Sequence, residues 1–122
     1  MIRGRVNAEE EPEVPLVPNL GKKRVRTMGV VDTGFNGYIS VPKRILQQSN
    51  WTFLGFEQYE IATGQVIRES VFFGKIHFGG EPHEVFCVAS DSRDVLLGTR
   101  LLRGKKLMID FRTKRVTIED AS

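Results

Sequence analysis

The sequence predicts an all-β fold, a closed or nearly closed barrel of many short strands with one or two short helices. Three observations predict it. Apolar residues alternate with polar ones at a period of two, as Leu107, Ile109 and Phe111 do against Lys106, Met108 and Asp110. Turn signals recur at short intervals, with 12 Gly and 5 Pro in 122 residues. Helix signals are confined to two brief segments, after Pro42 and after Gly98.

The elements follow in order. Residues 2–7 and 14–17 read as short strands about the acidic turn Glu9-Glu10-Glu11-Pro12. Residues 18–21 make a loop, and residues 24–31 a further strand. Pro42 opens a helix through Gln48, since proline is favoured in a first turn, and Ile45 and Leu46 face the core. Residues 51–56 are strongly apolar and are expected to pack beneath that helix. Residues 59–63 and 65–73 flank Gly64 as a long hairpin with its tip at Thr63-Gly64-Gln65. A second hairpin joins residues 75–78 and 83–89 about Gly79-Gly80. Residues 95–97 form a short buried strand, and residues 99–102 one or two helical turns. The alternation at 106–111 resumes with Val116 and Ile118 after a turn at 112–114.

The length predicts one domain, residues 1–122. Hydrophobic residues are 40% of the chain, enough for a core, and charged residues are 27%. No apolar run approaches the roughly 20 residues of a membrane-spanning helix, so no membrane partner is expected. The first residues lack the apolar segment of a secretory signal, and the lone Cys87 allows no intrachain disulfide. Both point to a cytoplasmic protein. The net charge is +3, with basic clusters at 22–24 plus Arg26, at 103–106 and at 112–115. These fall where loops and hairpin ends are predicted and read as solvated surface. Nucleic-acid binding, which needs them on one face beside stacking aromatics, is disfavoured. His77, His83 and Cys87 match no zinc spacing, and Cys87 between Phe86 and Val88 reads as a core thiol. No metal and no cofactor is expected.

The chemistry concentrates in Val30-Val31-Asp32-Thr33-Gly34-Phe35-Asn36-Gly37. Two β-branched residues lead into Asp32, so the carboxyl sits where a buried strand ends and a tight loop begins. A carboxylate there is costly to desolvate unless something holds it. Gly34 lets the backbone turn and brings amides near it, and Thr33 adds a short hydroxyl. The structural alternative is an ordinary turn, for Asn36-Gly37 is a hairpin signal by itself. A second segment, Asp94-Val95-Leu96-Leu97-Gly98-Thr99-Arg100-Leu101-Leu102, weighs against it. There too an apolar run ends at Gly and a short helix-like stretch follows.

Together the two segments resemble the retropepsin-like aspartic proteases, and small stand-alone bacterial members above all, over about residues 24–118. The resemblance implies an acid-protease-type barrel in which Leu96-Leu97-Gly98 passes behind and supports the Asp32-Thr33-Gly34 loop. It implies hydrolysis of peptide bonds by water held between two carboxyls. This chain has one Asp-Thr-Gly, and Asp91, Asp94, Asp110 and Asp120 lie in unsuitable contexts. The second carboxyl must come from a second copy, giving a homodimer with Asp32 of each chain on the axis. Thr33 would hydrogen-bond across that interface. Residues 59–73 would be the flap that closes over a peptide or protein substrate, with Gly64 as its mobile tip and Tyr59, Thr63 and Gln65 as contacts. Phe35 and Asn36, where viral members have Ala and then Asp or Ser, would shape the site differently. Residues 1–7 and 115–118 are candidates for terminal strands interleaved between copies, as in viral members. The alternative function is a catalytically silent, dimeric peptide-binding or regulatory module of the same fold.

Overall fold

Alternating burial sets the strands. The computed structural model describes residues 1–22 and 24–122. In chain order the elements are β1 (Ile2–Val6), β2 (Pro12–Asn19), β3 (Thr27–Val31), β4 (Ile39–Pro42), α1 (Lys43–Leu46), β5 (Thr52–Glu60), β6 (Val66–Phe78), β7 (Glu81–Ser90), β8 (Val95–Leu97), β9 (Lys105–Asp110) and β10 (Arg115–Asp120). β2 buries Val14 and Leu16, β7 buries Val85, Cys87 and Ala89, and β10 buries Val116 and Ile118. Each set is spaced by two, so each strand offers one face to the interior.

The strands form one sheet in the order β5-β6-β7-β4-β8-β3-β2-β1-β10-β9, and an added pairing of β6 with β2 closes it. Six strands, β6, β7, β4, β8, β3 and β2, thereby make a ring around the core. β6 is long enough to serve three partners, β5 through its first half and β7 and β2 through its second. Two appendages leave the ring. The β5–β6 hairpin projects on one side, and β1, β10 and β9 continue from β2 on the other. The all-β expectation holds.

Several local expectations are corrected. Pro18 and Asn19 belong to β2, not to a loop, because they pair with Ile76 and Lys75 of β6. The strand expected from Arg24 begins at Thr27, and Arg24 makes only an isolated bridge to Asn19. Of the basic cluster at 22–24, Lys23 lies outside the described residues. β4 was not expected at all. It is buried at all four residues, wedged between β7 and β8, so it has no alternation to read. Pro42 ends it and caps α1, which stops at Leu46 rather than Gln48.

Residues 99–102 form consecutive turns through Leu101 N to Gly98 O and Leu102 N to Thr99 O, not a helix. Trp51 is buried and donates its indole N–H to Asn19 O at 2.7 Å. Its ring lies where a Cβ on Gly74 would be, 2.0 Å away, so Gly74 is the floor of its seat. The rest of the 51–56 run does not pack beneath α1. Phe53, Leu54 and Phe56 are each about half exposed on β5. The terminal segments pair within one chain, Ile2 with Ile118 and Gly4 with Val116. Among the described residues no helix is long and apolar enough to cross a membrane.

Candidate active site

β3 delivers Asp32 to the surface. Val30 and Val31 are buried, and Asp32, half-buried, opens the loop that follows. Its amide donates to Leu97 O at 2.9 Å. The Gly34 amide donates to Asp32 Oδ1 at 2.9 Å, and the Phe35 amide to Asp32 O at 3.1 Å. The carboxylate is thus tethered by its own loop while its second oxygen makes no hydrogen bond among the described residues. Thr33, Gly34 and Asn36 are exposed beside it.

The second motif lies directly behind the first. β8 pairs parallel with β3, Leu96 beside Val30 and Leu97 beside Val31. It pairs antiparallel with β4, Leu97 beside Ile39 and Leu96 beside Ser40. Leu96 and Leu97 therefore lie between the strand entering the Asp32 loop and the strand leaving it. Gly98 donates to Tyr38 O at 3.0 Å, Thr99 to Phe35 O at 2.8 Å, and Arg100 to Gly37 O at 3.2 Å. Three successive amides of the later segment thus fasten three carbonyls of the earlier loop. A Cβ on Gly98 would lie 2.0 Å from Gly37 O and 2.8 Å from Phe35 O, so only glycine permits this approach. Phe35 is half-buried and its ring folds over Gly37, where a Cβ would sit 2.7 Å from it. The spacing Phe35-Asn36-Gly37 thereby lets the ring lie back over its own loop.

Asp32, Thr33, Val31 and Leu96 line a depression of about 440 Å³ with Glu10, Glu11 and Ile109. The hairpin expected as a flap is β5 and β6. Its tip is closed by Ile61 N to Gln65 O at 3.0 Å and Gly64 N to Ile61 O at 2.9 Å, with Gly64 at φ +86°. Thr63, Gly64 and Gln65 are exposed there. Tyr59 stands opposite Ile67, and its hydroxyl hydrogen-bonds the Glu69 carboxylate. That bond, with lesser contributions from desolvation and the Glu69 charge, raises the pKa of Tyr59.

A groove of about 510 Å³ runs between the base of this hairpin and the segment after Asp32, lined by Tyr38, Leu54, Val71, Phe86, Val88 and Arg100 among others. None of Phe35, Asn36, Tyr59, Thr63, Gly64 and Gln65 lines it. The fold thus brings Asp32, Thr33, Gly34, Leu96, Leu97 and Gly98 together and leaves the flap-tip residues apart from them. Sequence reasoning missed Tyr38, Thr99 and Arg100. The Arg100 guanidinium sits 5.7 Å from the Tyr38 ring centre, and Thr99 Oγ1 lies 3.4 Å from Phe35 O. Adjacency to Gly98 is the signal for the last two; Tyr38 had none.

Cys87 lies in the core, paired with Ile39 of β4; burial pushes its thiol pKa up to about 12. Among the described residues no cluster of His, Cys, Asp or Glu could hold a metal ion.

No family model matches the chain, and no curated protein matches it. Solved structures do. A retropepsin-like aspartic protease from Rickettsia conorii superposes with a TM-score of 0.67 at 18% identity, over 95% of this chain and 87% of that one. The retroviral protease-like domain of Ddi1 from Leishmania major gives 0.57 at 18%, over 91% and 90%. The foamy viral protease-reverse transcriptase gives 0.60 at 19% over 80% of this chain, which spans only 13% of that longer protein. The chain has the retropepsin-like aspartic protease fold, with its Asp-Thr-Gly loop and its Leu-Leu-Gly strand packed together within it.

Proposed function

We propose that this protein is a homodimeric aspartic endopeptidase that hydrolyses peptide bonds with water and needs no cofactor. One observation carries the reading: a carboxylate stands at the end of a buried strand, its loop clamped from behind by Gly98, Thr99 and Arg100. A turn that served only to reverse the chain would not need three successive amides of a distant segment to fix it.

One copy supplies half the chemistry. Two carboxyls about 3 Å apart cannot both be ionised, so a pair of Asp32 side chains would share one proton. The ionised one takes a proton from water as the water oxygen attacks the scissile carbonyl carbon. The protonated one gives its proton to the carbonyl oxygen, forming a neutral tetrahedral diol. One carboxyl then gives a proton to the amide nitrogen while the other takes one from a diol hydroxyl, so that the C–N bond breaks, an acid and an amine leave, and the dyad again shares one proton. Thr33, exposed beside Asp32, would brace the two loops against each other. Backbone groups of β5, an edge strand, would hold an extended peptide, and the groove beside Tyr38 and Phe86 would receive its side chains. Residues 1–122 would act as one domain. Cys87, buried and unpaired, suits a reducing, cytoplasmic compartment.

The test is cleavage of an unstructured protein by the purified chain and by Asp32→Asn. The substitution keeps the loop's shape and removes the acid, so activity should fall by about a thousandfold. Undiminished cleavage in Asp32→Asn would remove Asp32 from the reaction. Dimers that bind peptide without turnover from acidic to neutral pH would favour the silent binding module.

A further inference from the structure

β2 changes partners along its length, and a depression opens where it does. It pairs with β3 through Leu16 and with β6 from Val17 onward. Val14 and Leu16 face the core, so Pro15 and Val17, half-buried, lie on the outer face of the sheet. His77 stands beside Val17, between buried Ile76 and Phe78, and so shares that face. Arg26 immediately precedes Thr27, the partner of Leu16. From β1 comes Arg3, exposed next to buried Ile2. The turn Gly79-Gly80, at φ +63° and +78°, borders the same space and rests on Ile2: a Cβ on Gly79 would lie 3.0 Å from that side chain. These residues line a depression of about 380 Å³, a size that suits a small molecule.

Its charge is one-sided. Among the described residues neither Arg3 nor Arg26 forms an ion pair, and no Asp or Glu lines the depression. Arg5, on the same strand as Arg3, is by contrast paired with Glu13 at 2.9 Å. His77 Nδ1 is buried with no hydrogen-bond partner. Orphaned buried N–H groups are rarer than orphaned acceptors, so the proton of the neutral ring is assigned to Nε2, which then faces the depression as a donor. Guanidinium forks bind phosphoryl oxygens in pairs, and two of them match the double charge of a phosphomonoester. Beside them Ile2, Pro15 and Val17 offer an apolar flank. No Phe, Tyr or Trp among the described residues lines the depression, so it lacks the stacking platform of a nucleic-acid face.

We propose that this depression binds a small phosphorylated molecule, its phosphoryl group held by Arg3, Arg26 and His77 and its body resting on Ile2, Pro15 and Val17. The site is separate from the Asp32 loop. Val30, two residues before Asp32, pairs with Glu13 of β2. Val17 lies four residues further along that strand, about 13 Å away. The inference therefore stands apart from the peptidase reading, and neither result decides the other.

The test is titration of the full-length protein with phenyl phosphate, followed by calorimetry and by NMR of the Ile2 and Val17 methyl groups. One saturable site is expected, with both sets of methyls shifted. Phenol, which lacks the charge, and inorganic phosphate, which lacks the body, should each bind at least about tenfold more weakly. Arg3→Gln and Arg26→Gln should each weaken phenyl phosphate about tenfold, by removing a charge-assisted hydrogen bond. Arg112→Gln, an equal loss of charge in the β9–β10 turn, should leave the affinity unaltered. Should an arginine variant fail to fold, the methyl shifts in the wild-type chain still decide. No saturable binding, or binding that leaves Ile2 and Val17 unshifted, overturns the proposal. So does an equal loss in Arg112→Gln, which would mean unspecific attraction, or inorganic phosphate binding as tightly as phenyl phosphate. A single-stranded oligonucleotide that binds more tightly than phenyl phosphate, with an affinity falling steeply in salt, would make this a nucleic-acid surface and likewise overturn it.

Discussion

Single residues decide whether the Asp32 loop can form. Gly98 is the clearest case. Its position is occupied from behind by the carbonyls of Gly37 and Phe35, both backbone atoms that cannot rotate aside. Gly98→Ala should cost about 3 kcal/mol or more of stability, seen as a lower midpoint in urea unfolding, because overpacking here must move the loop. By comparison, Gly80 has open space around its Cβ position, so its requirement is conformational, a φ of +78° in the β6–β7 turn. Cys87 gives a second test at this scale. With no exposure and a thiol pKa pushed to about 12 by burial, it should resist thiol reagents at neutral pH. Labelling should appear only in denaturant. Fast modification of the native protein would show that β7 opens on its own.

Among the elements, the β9–β10 hairpin is fastened by its turn. Asp110 Oδ1 accepts from the amides of Arg112 at 2.9 Å and Thr113 at 3.1 Å. The Thr113 backbone N–H lowers the Asp110 pKa most, followed by the Thr113 hydroxyl and the Arg112 amide. A carboxyl whose pKa is lower when folded stabilises the fold above its unfolded value. That contribution is lost as pH falls through the depressed value. Wild-type protein should therefore lose thermal stability on acidification below the ordinary carboxylate range. Asp110→Asn, which keeps an acceptor but cannot titrate, should show a flatter dependence. An identical slope in both would place the acid sensitivity elsewhere. The β5–β6 hairpin shows the opposite design. Phe53, Phe56 and Phe72 form edge-to-face pairs 5.3 and 5.4 Å apart on one face, with the Arg68 guanidinium 3.7 Å above Phe56. This arm keeps its shape through cross-strand contacts instead of burial.

For the molecule as a whole, the proposed chemistry requires two Asp32 carboxyls, and one chain supplies one. Peptidase activity should then depend on self-association. Specific activity should fall on dilution through the dimer dissociation constant and recover on concentration, with cleavage rate and dimer fraction moving together in sedimentation and kinetic assays. A rate per chain that stays constant through the monomer range would break the link.

The sequence by itself determined the Asp32 loop, the strand behind it and most of the hairpins. These are local signals: β-branched residues before Asp32, glycines where chains touch or turn, and alternation along β2, β7 and β10. Tertiary structure alone decided where β4 goes, since a strand buried on both faces loses its period. It also decided that Pro18 and Asn19 extend a strand, that β6 closes on β2, and that the apolar run at 53–56 stands in solvent while Trp51 is buried. Each of these outcomes depends on partners distant in the chain. Pairing between remote strands is set by what the whole ring leaves available, and no short window of residues carries that information.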